Sequence, residues 1–331
     1  MAQAATTRGF QAPYQQVGPS YCCFPMFRLL ARRTCSAAIP APLTAVGSSG
    51  RFLPAKAATN VYATRNRRTF SSGTSMELLK TEIVDGVAVV TMLGPEGNFP
   101  WGTRVFEHRI NPLLLNQVNA ALDAAEKAEV QAVVVAGEGR FFCNGMDLQY
   151  ITANVAESTK IQTEAELLLS RILTLNVPTI AALNGHFTAA GAMLGLAFDV
   201  RVMPSDGKGL FFVPGIDIGL VYSAGMTELM KAKMPQPLWN DVLCFGKRYQ
   251  CAELLQHGVV NAAPPTSELV ATAVEMAKGL KSKGKDAKTR ETLHGIKRNL
   301  YKDAVATLGR EVEDMGFASG TWDPTGRAAK N

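Results

Sequence analysis

The stretch Pro178-Thr179-Ile180-Ala181-Ala182-Leu183-Asn184-Gly185-His186-Phe187-Thr188-Ala189-Ala190-Gly191-Ala192 decides the reading of this chain. A short apolar run ends at Asn184-Gly185, and a train of small residues then opens a helix. The first amides of that helix have no partner one turn back and are free to point outward. Small side chains let a ligand approach the backbone closely. A second segment has the same build. Gly139-Arg140-Phe141-Phe142-Cys143-Asn144-Gly145-Met146-Asp147-Leu148 follows the Val-rich run Ala132–Ala136. Two amides from two such turns, aimed at one carbonyl oxygen, form an oxyanion hole.

Working outward, Glu77–Ile83 and Val87–Leu93 flank Asp85-Gly86, which signals a hairpin. Asn111-Pro112 starts a helix, with Asn111 as N-cap and Pro112 in the first turn. Its buried face reads as Leu114, Leu115, Val118, Leu122 and Ala125. Ile161–Leu175 is a second amphipathic helix, Thr179–Leu183 a strand and Ala189–Phe198 the small-residue helix. Val200–Met203 and Leu210–Val213 read as strands. Val221–Ala232 and Leu238–Phe245 read as helices, and beyond Gln250 the pattern is almost wholly helical, clearest at Ser267–Lys281 and Tyr301–Met315. Strands interleaved with helices and followed by a helical tail make an α/β fold. Val177–Phe198 lacks any charged side chain. It contains Pro178, Asn184-Gly185-His186 and Gly191, so it reads as a buried strand, turn and helix rather than a transmembrane segment.

Charge divides the chain. Met1–Met76 has no Asp or Glu but nine cations, among them Arg67-Arg68 ahead of Thr69-Phe70-Ser71-Ser72. This is the composition of an organelle-targeting leader, expected over 1–75, with the mitochondrial matrix as destination and the plastid as the alternative. Without those nine, 25 of the 34 Lys and Arg remain against 28 Asp and Glu. The basic balance thus belongs to the leader and gives no reason to expect nucleic acid as a partner. Three cysteines, Cys143, Cys244 and Cys251, follow the leader without CxxC spacing and read as reduced thiols. His108, His186, His257 and His294 show no metal-ligand spacing, so no metal site is expected.

The ordered motifs FFCNGMDL (141–148), PTIAALNGHFTAAGAMLGLAFDVRV (178–202) and FFVPGIDIGL (211–220) resemble the enoyl-CoA hydratase/isomerase (crotonase) superfamily from about Glu77 to Ala263. HRINPLLL (108–115) together with FFCNGMDL is most similar to the plant-type Δ3,Δ2-enoyl-CoA isomerases. The resemblance implies a ClpP/crotonase-like spiral of ββα units over 76–265, with a helical C-terminal region over 266–331, assembled as a homotrimer or hexamer. It implies an acyl-CoA thioester as partner, with coenzyme A part of the substrate and no separate cofactor. It assigns the oxyanion amides to Met146 and Ala190. Arg109, Ile110, Asn111, Asn144, Gly145 and Asp147 would border the CoA adenine and pantetheine, Met193 would line the core or the acyl pocket, and Leu148, Ala189 and Gly215 complete the expected substrate-binding residues.

The same resemblance exposes a departure. The two glutamates of hydratases would fall at Met193 and Gly215, and the acid of dienoyl-CoA isomerases at Ser223. The nearest carboxylate in sequence is Asp217, which stands as the candidate base, with a structural role in local backbone bonding as its alternative. Of the other reactive residues, Cys143 reads as a small buried side chain and His186 as a hydrogen-bonded strand-end histidine. Asp147 reads as a helix cap, and Lys281–Lys288 as a solvated or subunit-edge segment. Two functions stay open. One is an isomerase moving a C3 double bond to C2 in fatty-acid β-oxidation. The other is an inactive acyl-CoA-binding or structural subunit of a mitochondrial complex.

Overall fold

The computed structural model describes residues 76–310. The expected leader over 1–75 and the end of the expected C-terminal region lie outside the described residues. Strands β1 (Leu79–Val84) and β2 (Val87–Met92) pair antiparallel through a two-residue turn. Asp85 and Gly86 both adopt positive φ, 52° and 76°, which matches the turn to the strand twist.

Helix α1 (Pro112–Lys127) begins where expected. The Asn111 side chain accepts from the Leu114 amide, and the buried face is Leu114, Leu115, Val118, Leu122 and Ala125. Three ββα turns follow. The first is β3 (Ala132–Gly137) and β4 (Phe141–Cys143), then the short α2 (Leu148–Ala153) and α3 (Ser158–Leu173). The second is β5 (Thr179–Ala182), β6 (His186–Thr188) and α4 (Ala190–Ala197). The third is β7 (Val200–Val202) and β8 (Phe211–Phe212), then α5 (Gly215–Ile218) and α6 (Ala224–Lys233). Each turn gives its first strand to a five-stranded sheet, β1-β2-β3-β5-β7, and its second to a three-stranded sheet, β4-β6-β8. All pairings between these strands after the hairpin are parallel. This is the α/β spiral of the crotonase type.

The central strands read as continuous apolar runs because both faces are covered. Ala88, Val90, Val133, Val135 and Ala181 face the main core. Val87, Val89, Val134, Ile180 and Ala182 face helix α8 (Leu269–Leu280) through its Leu269, Ala273 and Ala277. Each fully buried valine, leucine or isoleucine contributes about 1.5–3 kcal/mol, so this double cover accounts for much of what holds the spiral closed.

The helical region after the spiral comprises α7 (Cys251–Gln256), α8, α9 (Ala287–Leu300) and α10 (Lys302–Thr307). Helix α9 is anchored by Lys297, whose ammonium donates to Leu175 O and Val177 O at 3.0 Å and to Asp199 Oδ2 at 2.6 Å. The helix expected over Leu238–Phe245 is instead a 3₁₀ turn, Gln236–Leu238, and a π-helical turn, Asn240–Cys244. The helix expected over Tyr301–Met315 runs only from Lys302 to Thr307, where Leu308 turns out of helical geometry; residues 311–315 lie outside the described residues.

Candidate active site

The second sheet delivers its strand ends to one place. Strand β4 runs into Asn144–Asp147, β6 into Ala189, and β8 into Pro214 and α5. The first of these loops is stitched to the segment before α1. Ile110 N donates to Gly145 O at 2.8 Å, Asp147 N to Ile110 O at 2.9 Å, and Asn144 N to Glu107 O at 3.0 Å. Arg109 Nη1 donates to Asn144 O and Met146 O, both at 3.3 Å, while its Nε pairs with Glu107 at 2.5 Å. Asp147 is fully buried and accepts from Trp101 Nε1, Thr103 Oγ1, Asn111 Nδ2 and the Tyr150 amide. Four donors on one carboxylate make it the pin of the loop and the cap of α2, as its sequence position suggested.

The two turns touch. Gly145 has φ 79°, and a Cβ there would stand 2.9 Å from Ala189 Cβ and 3.4 Å from Ala190 N. Thr188 Oγ1 donates to Asn144 Oδ1 at 2.8 Å and ties the turns together from the side. Ala189 itself has φ 51°, uncommon for a residue with a Cβ, and its amide donates to Phe212 O at 3.0 Å. That bond holds the turn open so that the next residue, Ala190, starts α4. Met146 and Ala190 are both buried, and among the described residues neither backbone amide has an acceptor. Buried amides are paired in more than nine cases in ten. Two unengaged ones on adjoining turns mark a place built to receive an oxygen from a ligand.

Both residues line a cavity of about 230 Å³. Of the residues expected at the site, Arg109, Asn144, Met146, Leu148, Ala189, Ala190, Met193 and Gly215 line it together. Ile110, Asn111, Gly145 and Asp147 do not; they lie behind the wall and set its shape. Asp217 is the clear correction. It does not line the cavity and is exposed, with its carboxylate beside Gly246. The reason is helical rather than extended geometry at 215–218. Gly215 and Ile218, three apart, face the cavity. Asp217, two residues past Gly215, is turned roughly 200° around the helix from it.

Residues not singled out from the sequence complete the cavity, chiefly Thr188, Phe212, Leu220, Tyr222 and Met226. Tyr222 is the most consequential. Its hydroxyl accepts a hydrogen bond from the Gly215 amide, and it fills the space a Cβ on residue 215 would need. Leu220 O closes the same space from another side, 2.6 Å from that Cβ position. No sequence signal announces this, because the pairing depends on the chain reversing between α5 and α6. Burial pushes the Tyr222 phenol up to about 12, opposed by the Gly215 amide and helped by the Asp217 carboxylate.

The other reactive groups have structural duties. Burial pushes the Cys143 thiol up to about 12, which leaves it unreactive. His186 Nδ1 accepts from the Leu210 amide at 3.2 Å, and burial lowers the ring's pKa. Ser223 caps α6 through Met226 N at 3.1 Å. Among the described residues no group of three or more His, Cys, Asp and Glu is placed to hold a metal ion, and no helix is long and apolar enough to cross a membrane. A larger, polar surface cavity of about 590 Å³ lies against α9. Arg171 and Arg290 in its wall are spent on Asp123, Glu126 and backbone carbonyls.

The comparisons agree with this geometry. The profile described as enoyl-CoA hydratase/isomerase matches residues 84–313. The chain is 29% identical over 217 residues to the peroxisomal enoyl-CoA delta isomerase 2 of Arabidopsis thaliana, covering 62% of this chain and 89% of that one. It is 30% identical over 165 residues to the mitochondrial enoyl-CoA hydratase domain-containing protein 3 of Rattus norvegicus, covering 49% and 53%. Among solved structures, an enoyl-CoA hydratase/isomerase family protein from Pseudomonas syringae superposes with a TM-score of 0.63 at 23% identity, covering 73% of this chain and 100% of that one. With its spiral and its paired turns, the chain belongs to the enoyl-CoA hydratase/isomerase family.

Proposed function

We propose that the protein binds an acyl-CoA thioester with its carbonyl oxygen between the Met146 and Ala190 amides and shifts a C3 double bond to C2. The observation that carries this is the pair of unengaged buried amides on adjoining turns at one cavity. Donors fixed in place stabilise the enolate that forms when a C2 proton leaves, and removal of one such donor costs about 10²–10³ in rate. The proton lost from C2 returns at C4, and no electron leaves the substrate. Met193, Phe212, Leu220 and Met226 give the acyl chain an apolar wall. The similarity to a named delta isomerase supports isomerisation over hydration. The Arg-rich, acid-free residues 1–76 support the mitochondrial matrix as the site of action, with the plastid as alternative, and the family resemblance supports a homotrimer or hexamer.

A second reading, an acyl-CoA-binding subunit without turnover, is favoured by one observation. Among the described residues no carboxylate lines the cavity. The test is incubation with a 3-enoyl-CoA, reading the conjugated 2-enoyl product by absorbance, beside calorimetric titration with a saturated acyl-CoA. Turnover supports the isomerase. Binding without turnover establishes the second reading, and the absence of both refutes the thioester pocket.

A further inference from the structure

We infer that Tyr222 carries the proton of this site, its phenolate oxygen taking hydrogen from C2 of the bound thioester and returning it at C4. This deepens the isomerase reading and rests on it. The lining side chains with a titratable group are Arg109 and Tyr222. Arg109 is committed to Glu107 and to two loop carbonyls, and a guanidinium does not accept protons. Thr188 spends its hydroxyl hydrogen on Asn144 Oδ1.

The Tyr222 hydroxyl is held differently. Its oxygen accepts from the Gly215 amide, so its position is fixed by backbone, and its own hydrogen has no acceptor among the described residues. An amide donating to that oxygen favours the anion, as a base requires. The hydroxyl also occupies the space of a side chain on residue 215. The cavity therefore has room for a proton carrier from Tyr222 or from position 215, but not from both.

The step balances without another reactant. The phenolate takes the C2 proton and becomes phenol as the thioester oxygen gathers enolate charge. The phenol gives the proton to C4 as the double bond settles between C2 and C3, and the phenolate is restored. Among charged groups, Arg109 lines the same cavity and the Asp217 carboxylate acts on the phenol from α5; α6 carries Glu228, Lys231 and Lys233, and Arg248 lies over the Phe212 ring. With the phenol at about 12, the anion is roughly one part in 10⁴ at pH 8, so turnover is slow there and climbs about tenfold per pH unit. A carboxylate base gives a flat profile over the same range.

The experiment measures 3-enoyl-CoA turnover by the full chain and by Tyr222→Phe from pH 7 to pH 10, with saturated acyl-CoA affinity and the melting temperature read on both. The expected result is a log-linear rise for wild type and a loss of at least about 100-fold in Tyr222→Phe, with thioester affinity within threefold. A flat wild-type profile, or Tyr222→Phe turnover within threefold of wild type, overturns the inference and leaves the isomerase reading standing. Thioester binding without wild-type turnover at any pH overturns both. Gly215→Glu supplies an independent arm. The inference expects it to fall below wild type, because the new side chain displaces the Tyr222 hydroxyl, and a gain over wild type contradicts it.

Discussion

Replacing Gly145 with alanine tests the contact that sets the two donor turns side by side. The substitution acts twice. Alanine at φ 79° costs about 1–2 kcal/mol for the left-handed backbone alone. Its Cβ then meets Ala189 Cβ at 2.9 Å and Thr188 O at 3.3 Å, and overpacking of this kind costs about 1–3 kcal/mol. The expected loss is about 2–5 kcal/mol. Relief comes by pushing the 188–190 turn away from Met146, which breaks the shared grip on a carbonyl oxygen. Gly139→Ala is the control. Its φ is 73°, nearly the same, but nothing lies within 4 Å of its Cβ position. It therefore loses only the backbone contribution, about 1–2 kcal/mol, and keeps the site. Urea unfolding gives the two stability losses, and calorimetry with a saturated acyl-CoA gives the two affinities. Equal stability losses, together with wild-type thioester affinity in Gly145→Ala, would refute the claim that this glycine is required by contact between the turns.

Asp217→Asn leaves thioester affinity and any turnover within about twofold of wild type, since surface changes away from a site shift energies by only about 0.5 kcal/mol; a loss beyond tenfold contradicts the exposed placement. Asp199→Ala strands the buried Lys297 ammonium and lowers stability by about 3–5 kcal/mol in urea titration. Lys297→Met leaves the partly exposed Asp199 carboxylate with the Thr179 amide and hydroxyl as its donors and costs less. Burial, reinforced by Arg201, holds the Lys233 ammonium down to about 7, against 10.5 for an ordinary lysine. Between those values the unfolded chain binds the extra proton, so stability rises as pH goes from 7 towards 10. Below pH 7 both states are charged and the burial cost is fully present. Lys233→Met flattens that rise in the urea midpoint, and parallel curves for variant and wild type would contradict it.

Much of the fold was legible because local chemistry and tertiary placement agree. Asp85-Gly86, the Asn111 cap and the five buried residues of α1 each follow from one physical rule acting on a few neighbours. Met146 and Ala190 were reached through the family resemblance; the residues alone signalled two glycine-containing turns after buried strands, the second opening a small-residue helix whose first amides lack a partner. The misses share a cause of the other kind. Asp217 faces outward because residues 215–218 wind into a helical turn, a placement that nearness in sequence to position 215 does not reveal. Tyr222 matters through a contact with Gly215 that forms only after the chain doubles back between α5 and α6. The π-helical turn at Asn240–Cys244 likewise departs from a periodicity that reads as an ordinary helix.

The two sides of the cavity are braced to different degrees. On one side, Arg109, Asn144 and Asp147 lash the carbonyl-gripping corner to three separate segments of chain. On the other stands α5, a single four-residue coil, fastened chiefly by the Gly215 amide to Tyr222 and by Leu220 N to Gly215 O at 2.9 Å. The Met146 and Ala190 amides therefore stand on the firmly braced side, while Gly215, Ile218, Leu220 and the Tyr222 hydroxyl share the lightly fastened one. Exchanging residues 216–220, which keeps Gly215 and Tyr222, should retune which acyl chains fit and leave the affinity for the thioester head unchanged.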